Sequence, residues 1–319
     1  QPHCLACRAN DSATYAPLHV SQAVREVDED IREGLLRCSN PACRYEYPII
    51  DGIPFLLPHL PEFLGANADI IRARTDLSPL INSVLGDCCG PDAGFSITRQ
   101  HLSSYGWCHY GDLDPQNSDA AAGATVQVLR ALQKSTPVES VTGPIIDLGC
   151  AVGRTSFELA DTSDQLTLGV DLNIAMLRMA SDVLRNERVR YPLRKTGVVY
   201  DERDFSVQFP RSDKVDFWAC DATHLPFADG VFRHCLSLNT LDSVPSPVGL
   251  LQSIGRITAL GGTAQLACPY DWSSSVTAIQ GWIGGHSQRA EHGGGSEIVL
   301  RQLLTGSPEL SQQLRIVSE

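Results

Sequence analysis

The sequence of 319 residues predicts an α/β protein with a doubly wound, largely parallel sheet and a small cysteine-bearing module in front of it. Three observations support this prediction. Short apolar runs alternate with amphipathic helical segments between residues 137 and 270. The first apolar run leads directly into a glycine-containing turn, IIDLGCAVGRTSFELA (145–160). Two pairs of cysteines stand outside this alternating pattern, within the first 60 residues.

The composition narrows the class of protein. A hydrophobic content of 43% is enough for a full α/β core with one additional module. The net charge of −12, without a polybasic run, argues against nucleic acid as the main partner. No apolar stretch reaches the roughly 20 residues that span a bilayer. Seven of the eleven cysteines are scattered along the chain, several of them inside apolar runs, which favours a reducing compartment. We therefore expect a cytoplasmic protein with no membrane partner.

The cysteine pairs are CLAC, with Cys4 and Cys7, and CSNPAC, with Cys38 and Cys43. Two short knuckles that carry two thiols each offer four soft ligands to a tetrahedral Zn²⁺. The alternative is a disulfide or four unrelated cysteines, and the wider spacing of the second pair keeps that alternative open. The spacing favours a zinc ribbon with a structural metal.

The segment after the second pair, YEYPIIDGIPFLLP (45–58), strengthens this prediction. Together with that pair it resembles the end of the small zinc-ribbon proteins that activate tRNA and release-factor methyltransferases. The resemblance covers residues 1–60 and implies Zn²⁺ on Cys4, Cys7, Cys38 and Cys43. Some ribosomal-RNA guanine methyltransferases also begin with a cysteine ribbon, so this module leaves the substrate open.

The predicted organisation has three parts. Residues 1–60 form the ribbon, 61–136 a helical connecting region that contributes to the substrate site, and 137–319 the nucleoside-binding domain. We expect helices over Asp69–Leu85 and from Asp119 to just before Pro137, and a small hairpin within Tyr191–Lys214. The elements predicted after residue 137 are strand Pro144–Leu148, helix Thr155–Asp161, strand Leu166–Asp171, helix Ile174–Arg188, strands Val215–Cys220 and Phe232–Asn239, helix Pro247–Leu260 capped by Ser246, and strand Thr263–Cys268.

The glycine turn predicts a nucleoside ligand without phosphates. Its pattern is D-x-G-x-A-x-G, which differs from the G-x-G-x-x-G of pyrophosphate sites. S-adenosylmethionine (SAM) meets this requirement, with Asp147 receiving its amino group, Asp171 its ribose hydroxyls and Asp221 its adenine amine. An NAD site or a sheet without a nucleotide is less favoured. The remaining predicted cofactor-binding residues are Gly149, Cys150, Gly153, Leu172, Ala222 and Asn239.

These features resemble a class I methyltransferase over residues 137–270, with a Rossmann-like sheet. Three separated motifs, GCAVGRTSFELA, CHYG (108–111) and CPYDW with GWIGG (268–272 and 281–285), resemble the methyltransferase domain of ovothiol-forming sulfoxide synthases. The resemblance implies SAM-dependent methylation of the π nitrogen of a mercaptohistidine imidazole. No sulfoxide synthase domain is present in this sequence, so L-histidine is at least as favoured as a thiol derivative.

Imidazole chemistry agrees with this hypothesis. With a pKa of about 6.5, the free ring offers a lone pair near neutral pH, so the enzyme chiefly has to position it and to accommodate the positive charge that methylation creates. Aromatic faces and a carboxylate serve this purpose. The predicted catalytic residues are Asp242 as proton acceptor, Asn239, Tyr110 and Tyr270. The predicted substrate-binding residues are His109, Tyr110, Arg154, Tyr270, Trp272 and Trp282.

Several of these residues have a structural alternative. The aromatic residues Tyr270, Trp272 and Trp282 can cover the core beneath a loop, His109 can be a structural hydrogen bonder, and Arg154 can pair with Glu158 four residues on. The glycine-rich loop with His286 and His292 is predicted as a lid rather than a second metal site. At the level of function, an RNA base methyltransferase that uses the ribbon for RNA, and a non-catalytic SAM-binding module, are the alternatives.

Overall fold

A computed structural model describes residues 1–10, 16–73, 75, 77–117, 123–311 and 313–318 of the chain. Within these residues, nine strands form one sheet in the order β1-β2-β3-β4-β9-β6-β5-β10-β11, and β7 pairs with β8 in a separate hairpin. The strands are β1 (Leu18–Val27), β2 (Asp30–Cys38), β3 (Glu46–Ile50), β4 (Ile53–Leu56), β5 (Ile145–Leu148), β6 (Thr167–Asp171), β7 (Arg188–Thr196), β8 (Val199–Ser206), β9 (Val215–Cys220), β10 (Phe232–Leu238) and β11 (Thr258–Ala267).

The helices of the described residues lie before, between and after these strands. They are α1 (Leu5–Asn10), α2 (Leu60–Arg72), α3 (Pro79–Cys88), α4 (Gly94–Tyr110), α5 (Ala124–Ser135), α6 (Arg154–Ser163), α7 (Ile174–Asn186), α8 (Pro247–Ile257), α9 (Ser296–Gly306) and α10 (Pro308–Ser311). In the described part of the chain, no helix has the length and apolar character needed to span a bilayer.

The five strands β5, β6, β9, β10 and β11 are parallel, as predicted. Strand β5 lies inside the sheet and is buried along its whole length, which explains its continuous apolar run. The chain continues from β5 to β6 and β9 on one side, and later to β10 and β11 on the other. The strand order therefore reverses next to β5, and ligands of such sheets bind at this reversal, beyond the carboxyl ends of the strands.

The first four strands form an antiparallel sheet that joins the parallel one. Strand β4 pairs in parallel with β9, with Phe55 opposite Ala219 and Leu56 opposite Cys220. Phe55 and Leu56 are both buried. The predicted boundary at residue 60 thus follows a strand that belongs to the continuous nine-stranded sheet, while the three-part division itself stays a prediction.

A tight turn in the first antiparallel sheet holds it to helix α7. Asp51 and Gly52 connect β3 to β4 with φ values of 54° and 74°, the left-handed pair of a type I′ hairpin turn. The carboxylate of Asp51 accepts hydrogen bonds of 2.9 and 2.7 Å from Arg178. The carbonyl groups of Asp51 and Gly52 accept 2.9 and 3.2 Å hydrogen bonds from Arg185. The Asp-Gly turn is therefore a docking point as well as a hairpin turn.

Several predicted boundaries differ from the structure. The segment Asp69–Leu85 is two helices, α2 and α3, because Pro79 starts a new helix capped by the side chain of Ser78. The helix predicted to reach Arg188 ends at Asn186, because Glu187 takes a left-handed conformation and Arg188 already belongs to β7. The helix predicted to reach Leu260 ends at Ile257, where β11 begins.

Other expectations have different outcomes. The hairpin expected within Tyr191–Lys214 is confirmed as β7 and β8, although β7 already starts at Arg188. The N-cap Ser246 is confirmed, since its side chain accepts a hydrogen bond from the amide of Gly249. The predicted helix start at Asp119 lies outside the described residues, and helix α5 covers 124–135. Helix α4 was not predicted.

Candidate cofactor and substrate site

The glycine turn between β5 and α6 presents bare backbone at the strand-order reversal. Gly149, Ala151 and Gly153 have φ values of 75°, 49° and 86°. A Cβ atom on Gly149 would lie 2.3 Å from Oγ1 of Thr240, and one on Gly153 would lie 2.6 Å from the ring of Phe217. Both glycines are therefore required by close packing as well as by conformation.

Asp147 lies at the end of β5 beneath this turn and is almost completely buried. Its Oδ2 accepts hydrogen bonds from the hydroxyl groups of Thr155 (2.6 Å) and Ser156 (2.7 Å) at the start of α6. Burial raises the pKa of Asp147 to about 6, although both hydroxyl groups favour the charged form. In this arrangement Asp147 holds α6 against β5, and its direct contact with a ligand amino group stays a prediction.

Asp171 at the end of β6 is joined to the same turn. Its Oδ2 accepts a 2.9 Å hydrogen bond from the amide of Ala151, and its Oδ1 accepts a 2.8 Å hydrogen bond from the amide of Asn173. Burial raises the pKa of this carboxyl group above its ordinary value. Each carboxylate oxygen can accept a further hydrogen bond. Two such oxygens on one carboxylate match the two hydroxyl groups of a ribose. Leu172, which follows Asp171, is 38% exposed.

Asp221 follows β9, so the three acids lie at the ends of adjacent strands β5, β6 and β9. Its Oδ1 accepts hydrogen bonds from the amide (2.8 Å) and hydroxyl group (2.7 Å) of Thr223, and its Oδ2 lies 3.4 Å from Nδ1 of His224. Burial acts to raise the pKa of Asp221, but the hydrogen bonds from His224 and Thr223 outweigh it and lower the pKa. Asp221 is therefore a charged acceptor, with buried Ala222 beside it.

On the other side of β5, the end of β10 carries Asn239 and Asp242. Asn239 is exposed and has a φ of 54°, an uncommon conformation for a side-chain-bearing residue that is enriched at functional sites. Asp242 is buried in a short 3₁₀ turn, and its Oδ2 accepts a 2.7 Å hydrogen bond from the amide of Asp271. This bond brings the segment after β11 to the end of β10.

That segment forms an aromatic surface made of Tyr270, Trp272, Trp282 and His286. The ring centroids of Trp272 and Trp282 are 6.2 Å apart and nearly parallel, at 16°. Tyr270 lies 6.5 Å from Trp272, and His286 lies 6.2 Å from Trp282. The indole N–H of Trp272 donates to Ser296 and that of Trp282 to the Thr277 carbonyl group. The three predicted aromatic residues are thus brought together, and both indoles are held in fixed orientations.

Tyr110 and Arg154 form a support behind the glycine turn. Tyr110 is fully buried, and its hydroxyl group donates a 2.8 Å hydrogen bond to the carbonyl group of Val152 within the turn. Arg154, with 2% exposure, donates to Glu158 (2.7 Å) and to Asp112 (3.0 Å). The predicted pairing of Arg154 with Glu158 is confirmed. Substrate contact by Tyr110 or Arg154 would require these bonds to rearrange, and it stays a prediction.

His109 lies in the same support. Its carbonyl group accepts a 3.0 Å hydrogen bond from Arg154, and its ring is buried. Burial, assisted by the charge of Arg154, lowers the pKa of His109 to about 3, so the ring is neutral at physiological pH. Within the described part of the chain, its Nδ1 has no hydrogen-bond partner. A role for His109 in substrate binding stays a prediction.

Tyr105, one helical turn before His109 on α4, is a further residue at this site and was not predicted. Its ring centroid is 6.2 Å from that of His109, and its side chain is 42% exposed. Burial of part of the phenol, together with the negative charges of Asp171 and Asp242, raises the pKa of Tyr105. The same phenol is thus influenced by the carboxylates on both sides of the glycine turn. The spacing of four residues from His109 was the available signal, but it required α4 to be recognised first.

The four cysteines of the two N-terminal knuckles lie close together in space. Their sulfur atoms all lie within 4.8 Å of one another, and none forms a disulfide. The Cys4–Cys43 and Cys7–Cys38 sulfur distances are 3.8 and 3.6 Å. Zn–S bonds of about 2.3 Å in a tetrahedron place sulfur atoms about 3.8 Å apart. The donor set therefore fits Zn²⁺, and Asn40 donates its backbone N–H to Cys38 and its side-chain amide to Cys7, as outer-shell donors do.

The cysteine knuckle also contacts the loop that follows Asp221. The guanidinium group of Arg8 donates to the carbonyl groups of Leu225 (3.3 Å) and Phe227 (3.2 Å). The amide of His3 donates a 2.9 Å hydrogen bond to the carbonyl group of Pro226. The first knuckle thus holds the loop on which the predicted adenine-binding residues lie.

Comparison with known families agrees with this geometry. Residues 146–266 match the family described as "Methyltransferase domain". They form a SAM-dependent methyltransferase domain. The matched range runs from β5 into β11 and contains Asp147, Asp171, Asp221, Asn239 and Asp242, whereas the cysteine knuckles and the aromatic surface lie outside it.

Relatives of this methyltransferase domain include methyltransferase GfsG of Streptomyces halstedii, which is 25% identical over 160 residues, 50% of this chain and 49% of the relative. The chloroplastic tocopherol O-methyltransferase of Arabidopsis thaliana is 22% identical over 186 residues, 54% of this chain and 47% of the relative. The chain therefore spans about half the length of the curated relatives that it matches.

Solved structures that match part of this chain include phosphoethanolamine N-methyltransferase 2 of Haemonchus contortus, with a TM-score of 0.37 and 19% identity over 53% of this chain and 35% of that one. Another is a complex of the Haloferax volcanii Trm112 methyltransferase activator with a methyltransferase, with a TM-score of 0.37 and 20% identity over 54% of this chain and 60% of that one.

Proposed function

We propose that this protein transfers the methyl group of SAM to an imidazole ring nitrogen, preferably the π nitrogen, of L-histidine or a thiol-histidine derivative. The observation that carries the choice of acceptor is the hydrogen bond between Asp242 and the amide of Asp271. It places an aromatic surface next to a carboxylate at the end of β10. This pairing suits a flat acceptor that becomes a cation during the reaction.

In this proposal the cofactor lies across the ends of β5, β6 and β9. Asp171 accepts the ribose hydroxyl groups and Asp221 the adenine amine, while the bare backbone from Gly149 to Gly153 admits the ligand closely. The carboxylates also favour a sulfonium cation electrostatically, because the site carries several negative charges and no phosphate has to be accommodated.

The chemical step is an in-line substitution. The lone pair of the ring nitrogen attacks the methyl carbon, the N–C bond forms as the C–S bond breaks, and the sulfonium sulfur leaves as the neutral thioether of S-adenosylhomocysteine. The methylated ring is an imidazolium, and the proton on its other nitrogen is then lost to solvent or to Asp242. Because neutral imidazole is already nucleophilic, positioning supplies most of the catalysis. Tyr270, Trp272 and Trp282 provide the faces that orient the ring.

We further propose that Cys4, Cys7, Cys38 and Cys43 hold a structural Zn²⁺. The thiolates supply all four ligands, which leaves no open position for catalysis and is typical of structural sites. In this proposal the metal fixes the first knuckle, from which Arg8 and His3 hold the loop after Asp221. The partner of the protein is a small molecule and not a nucleic acid.

The test is a methyl-transfer assay with labelled SAM and a panel of acceptors. The panel contains L-histidine, mercaptohistidine, histamine, a simple phenol and short RNAs, and NMR locates the methyl group in any product. The phenol is included because one relative is named as a tocopherol O-methyltransferase. Methyl on an imidazole nitrogen supports the proposal. Transfer to the phenol or RNA, with none to any imidazole, would overturn the choice of acceptor while retaining the methyltransferase activity.

Two variants test the aromatic surface. Trp272→Leu is expected to raise KM for the imidazole acceptor by about tenfold and to leave SAM affinity unchanged, because the indole lies outside the predicted cofactor contacts. Trp218→Leu is the control, because Trp218 lies in β9 and stacks on Phe227. Equal effects of the two variants on KM for the acceptor would contradict the assignment of Trp272.

A further inference from the structure

A cavity lies between the N-terminal antiparallel sheet and helix α7. It has a volume of about 420 Å³, within the range of small-molecule sites. None of the predicted cofactor or substrate residues lines it. Among the described residues, its charged lining consists of five arginines and two aspartates: Arg25, Arg32, Arg72, Arg178, Arg185, Asp51 and Asp182.

The charge of this cavity is opposite to that of the protein. The chain has a net charge of −12, yet the lining has three more positive than negative groups. Guanidinium groups around one cavity repel one another, so a cluster of them needs nearby negative charges to be stable. Asp30, just outside the lining, contributes by pairing with Arg185 and Arg32 at 2.8 and 3.1 Å. Glu33 pairs in the same way with Arg25, so among the described residues four acids face the five arginines and one positive charge is in excess.

Two of the arginines have a structural role. Arg178 and Arg185 project from α7 at positions seven residues apart, and both are bound to the Asp51–Gly52 turn, as described above. They are 12% and 11% exposed, respectively. Their fixed positions make them a rigid wall of the cavity.

The other three arginines lie on other elements. The buried Nε of Arg32 lies 3.1 Å from Oδ2 of Asp30, where it forms an ion pair without the geometry of a hydrogen bond. Arg25 contacts Glu33 at 3.3 Å, and both side chains are about half exposed. Arg72 lies in the last turn of α2 and reaches the cavity from a third element. The donors therefore approach the cavity from β1, β2 and α2, opposite the wall formed by α7.

We propose that this cavity binds a small phosphate-bearing molecule, with one or two phosphate groups. Arginine is suited to this task because its planar fork donates two parallel hydrogen bonds to a phosphate, and such charge-assisted bonds are strong. The ligand supplies the missing negative charge and further acceptors for the guanidinium groups of Arg25, Arg32 and Arg72. It also joins β1 and β2 to α2 and α7, so binding stabilises the contact between the N-terminal sheet and the methyltransferase domain.

The test uses inorganic pyrophosphate as the probe, with isothermal titration calorimetry on the full chain at constant ionic strength. The variants are Arg32→Gln and Arg72→Gln. Arg37→Gln is the matched control, since Arg37 lies on β2 but pairs with Glu46 and does not line the cavity. SAM binding is measured in parallel on every variant to show that the fold is retained.

We expect saturable binding of one pyrophosphate, an increase in Tm with its concentration, and a loss of about tenfold in affinity for each cavity variant. Arg37→Gln should bind pyrophosphate as the unmodified chain does. Absence of saturable binding, or equal loss in Arg37→Gln, would overturn the proposal. So would an affinity for short RNA that exceeds that for pyrophosphate and is lost in the same two variants, because it would identify the cavity as a nucleic-acid contact.

Discussion

At the scale of single residues, Asp147 shows how function and stability conflict. The group is placed at the cofactor end of β5 and is almost fully buried, where two hydroxyl groups only partly offset the loss of water. A buried carboxyl group whose pKa is raised makes the folded state less stable when it is charged. A buried carboxylate that lowers the stability of the folded state is expected at functional sites, where its charge acts on a ligand. This agrees with a role for Asp147 next to a cationic ligand.

The first prediction concerns the pH dependence of this cost. Between about pH 4 and pH 6 folded Asp147 holds a proton that the unfolded chain has lost, so its contribution to the free energy of unfolding falls as the pH rises through this window. Across the whole window, the contribution of Asp147 to the free energy of unfolding falls by roughly 3 kcal/mol. The free energy of unfolding of Asp147→Asn, relative to that of the unmodified protein, should therefore rise by roughly 2 kcal/mol from pH 4.5 to pH 7.5, measured by urea unfolding. A stability difference that is the same at both pH values would contradict this.

The second prediction concerns Asp171. Asp171→Asn replaces one acceptor oxygen by an NH₂ donor. This donor cannot accept a hydrogen bond from a ribose hydroxyl group, and it faces a backbone N–H group that is itself a donor. We expect SAM affinity to fall by about 10- to 100-fold, measured by calorimetry. Asp87→Asn is the control, because Asp87 is exposed on α3. An unchanged affinity in Asp171→Asn would exclude this carboxylate as the ribose acceptor.

The predictability of the site differs between residues. The three acids and the glycines were identifiable from local sequence patterns. Each acid stands at the end of an apolar run, and the left-handed turn after the first run contains glycines. The environment of Arg154 was identifiable only in part: the pairing with Glu158 follows from helical spacing, whereas the contact with Asp112 joins residues 42 positions apart. Tyr105 was not identifiable, because only the folded chain brings α4 to Asp171 and Asp242.

At the scale of elements, α4 explains what sequence patterns fail to reveal. The helix runs for 17 residues, but it has weak amphipathic character and contains Gly106. A Cβ at Gly106 would lie 2.4 Å from the ring of Tyr191 in β7, so this glycine permits close packing of the helix on the hairpin. Tertiary packing rather than helix propensity stabilises such a helix. By contrast, α8 was predicted from its cap and apolar face, and only its end was wrong.

The third prediction tests the Asp51–Gly52 turn. Gly52→Ala introduces a Cβ at a φ of 74°, and that atom would lie 2.0 Å from a guanidinium nitrogen of Arg185. We expect a loss of about 2 kcal/mol or more in the free energy of unfolding. Gly197→Ala is the control, since Gly197 also has a positive φ of 52° but no atom within 4 Å of the new Cβ. It isolates the conformational strain, which we expect to cost about 1 kcal/mol. Equal losses would show that the contact with Arg185 is unimportant.

At the scale of the whole molecule, the N-terminal knuckle and the cofactor site are connected. Arg8 lies in α1 directly after Cys7, and its hydrogen bonds to Leu225 and Phe227 fix the loop after Asp221. Arg256 from α8 donates to the same two carbonyl groups. The loop is thus held from two sides, one of which depends on the conformation of the cysteine knuckle.

The fourth prediction follows from this connection. Cys38→Ser, or removal of metal with a chelator, should lower Tm and also weaken SAM binding several-fold, because the loop after Asp221 loses one of its two supports. Cys88→Ser is the control, since Cys88 is exposed on α3 and far from the knuckle in sequence. Metal analysis of the purified protein should give one zinc per chain. A fall in Tm with unaltered SAM affinity would contradict the connection.

The pairing of β4 with β9 has a consequence for the protein as a unit. Only two residue pairs join the two strands, and they cover the Ala219–Cys220 end of β9, where amide and carbonyl groups would otherwise be unpaired. A chain shortened to begin after residue 60 would expose an apolar strand edge with unpaired backbone groups at Ala219 and Cys220. Such a truncated chain should self-associate at concentrations where the full chain stays dispersed, because each copy would offer its bare strand to the next.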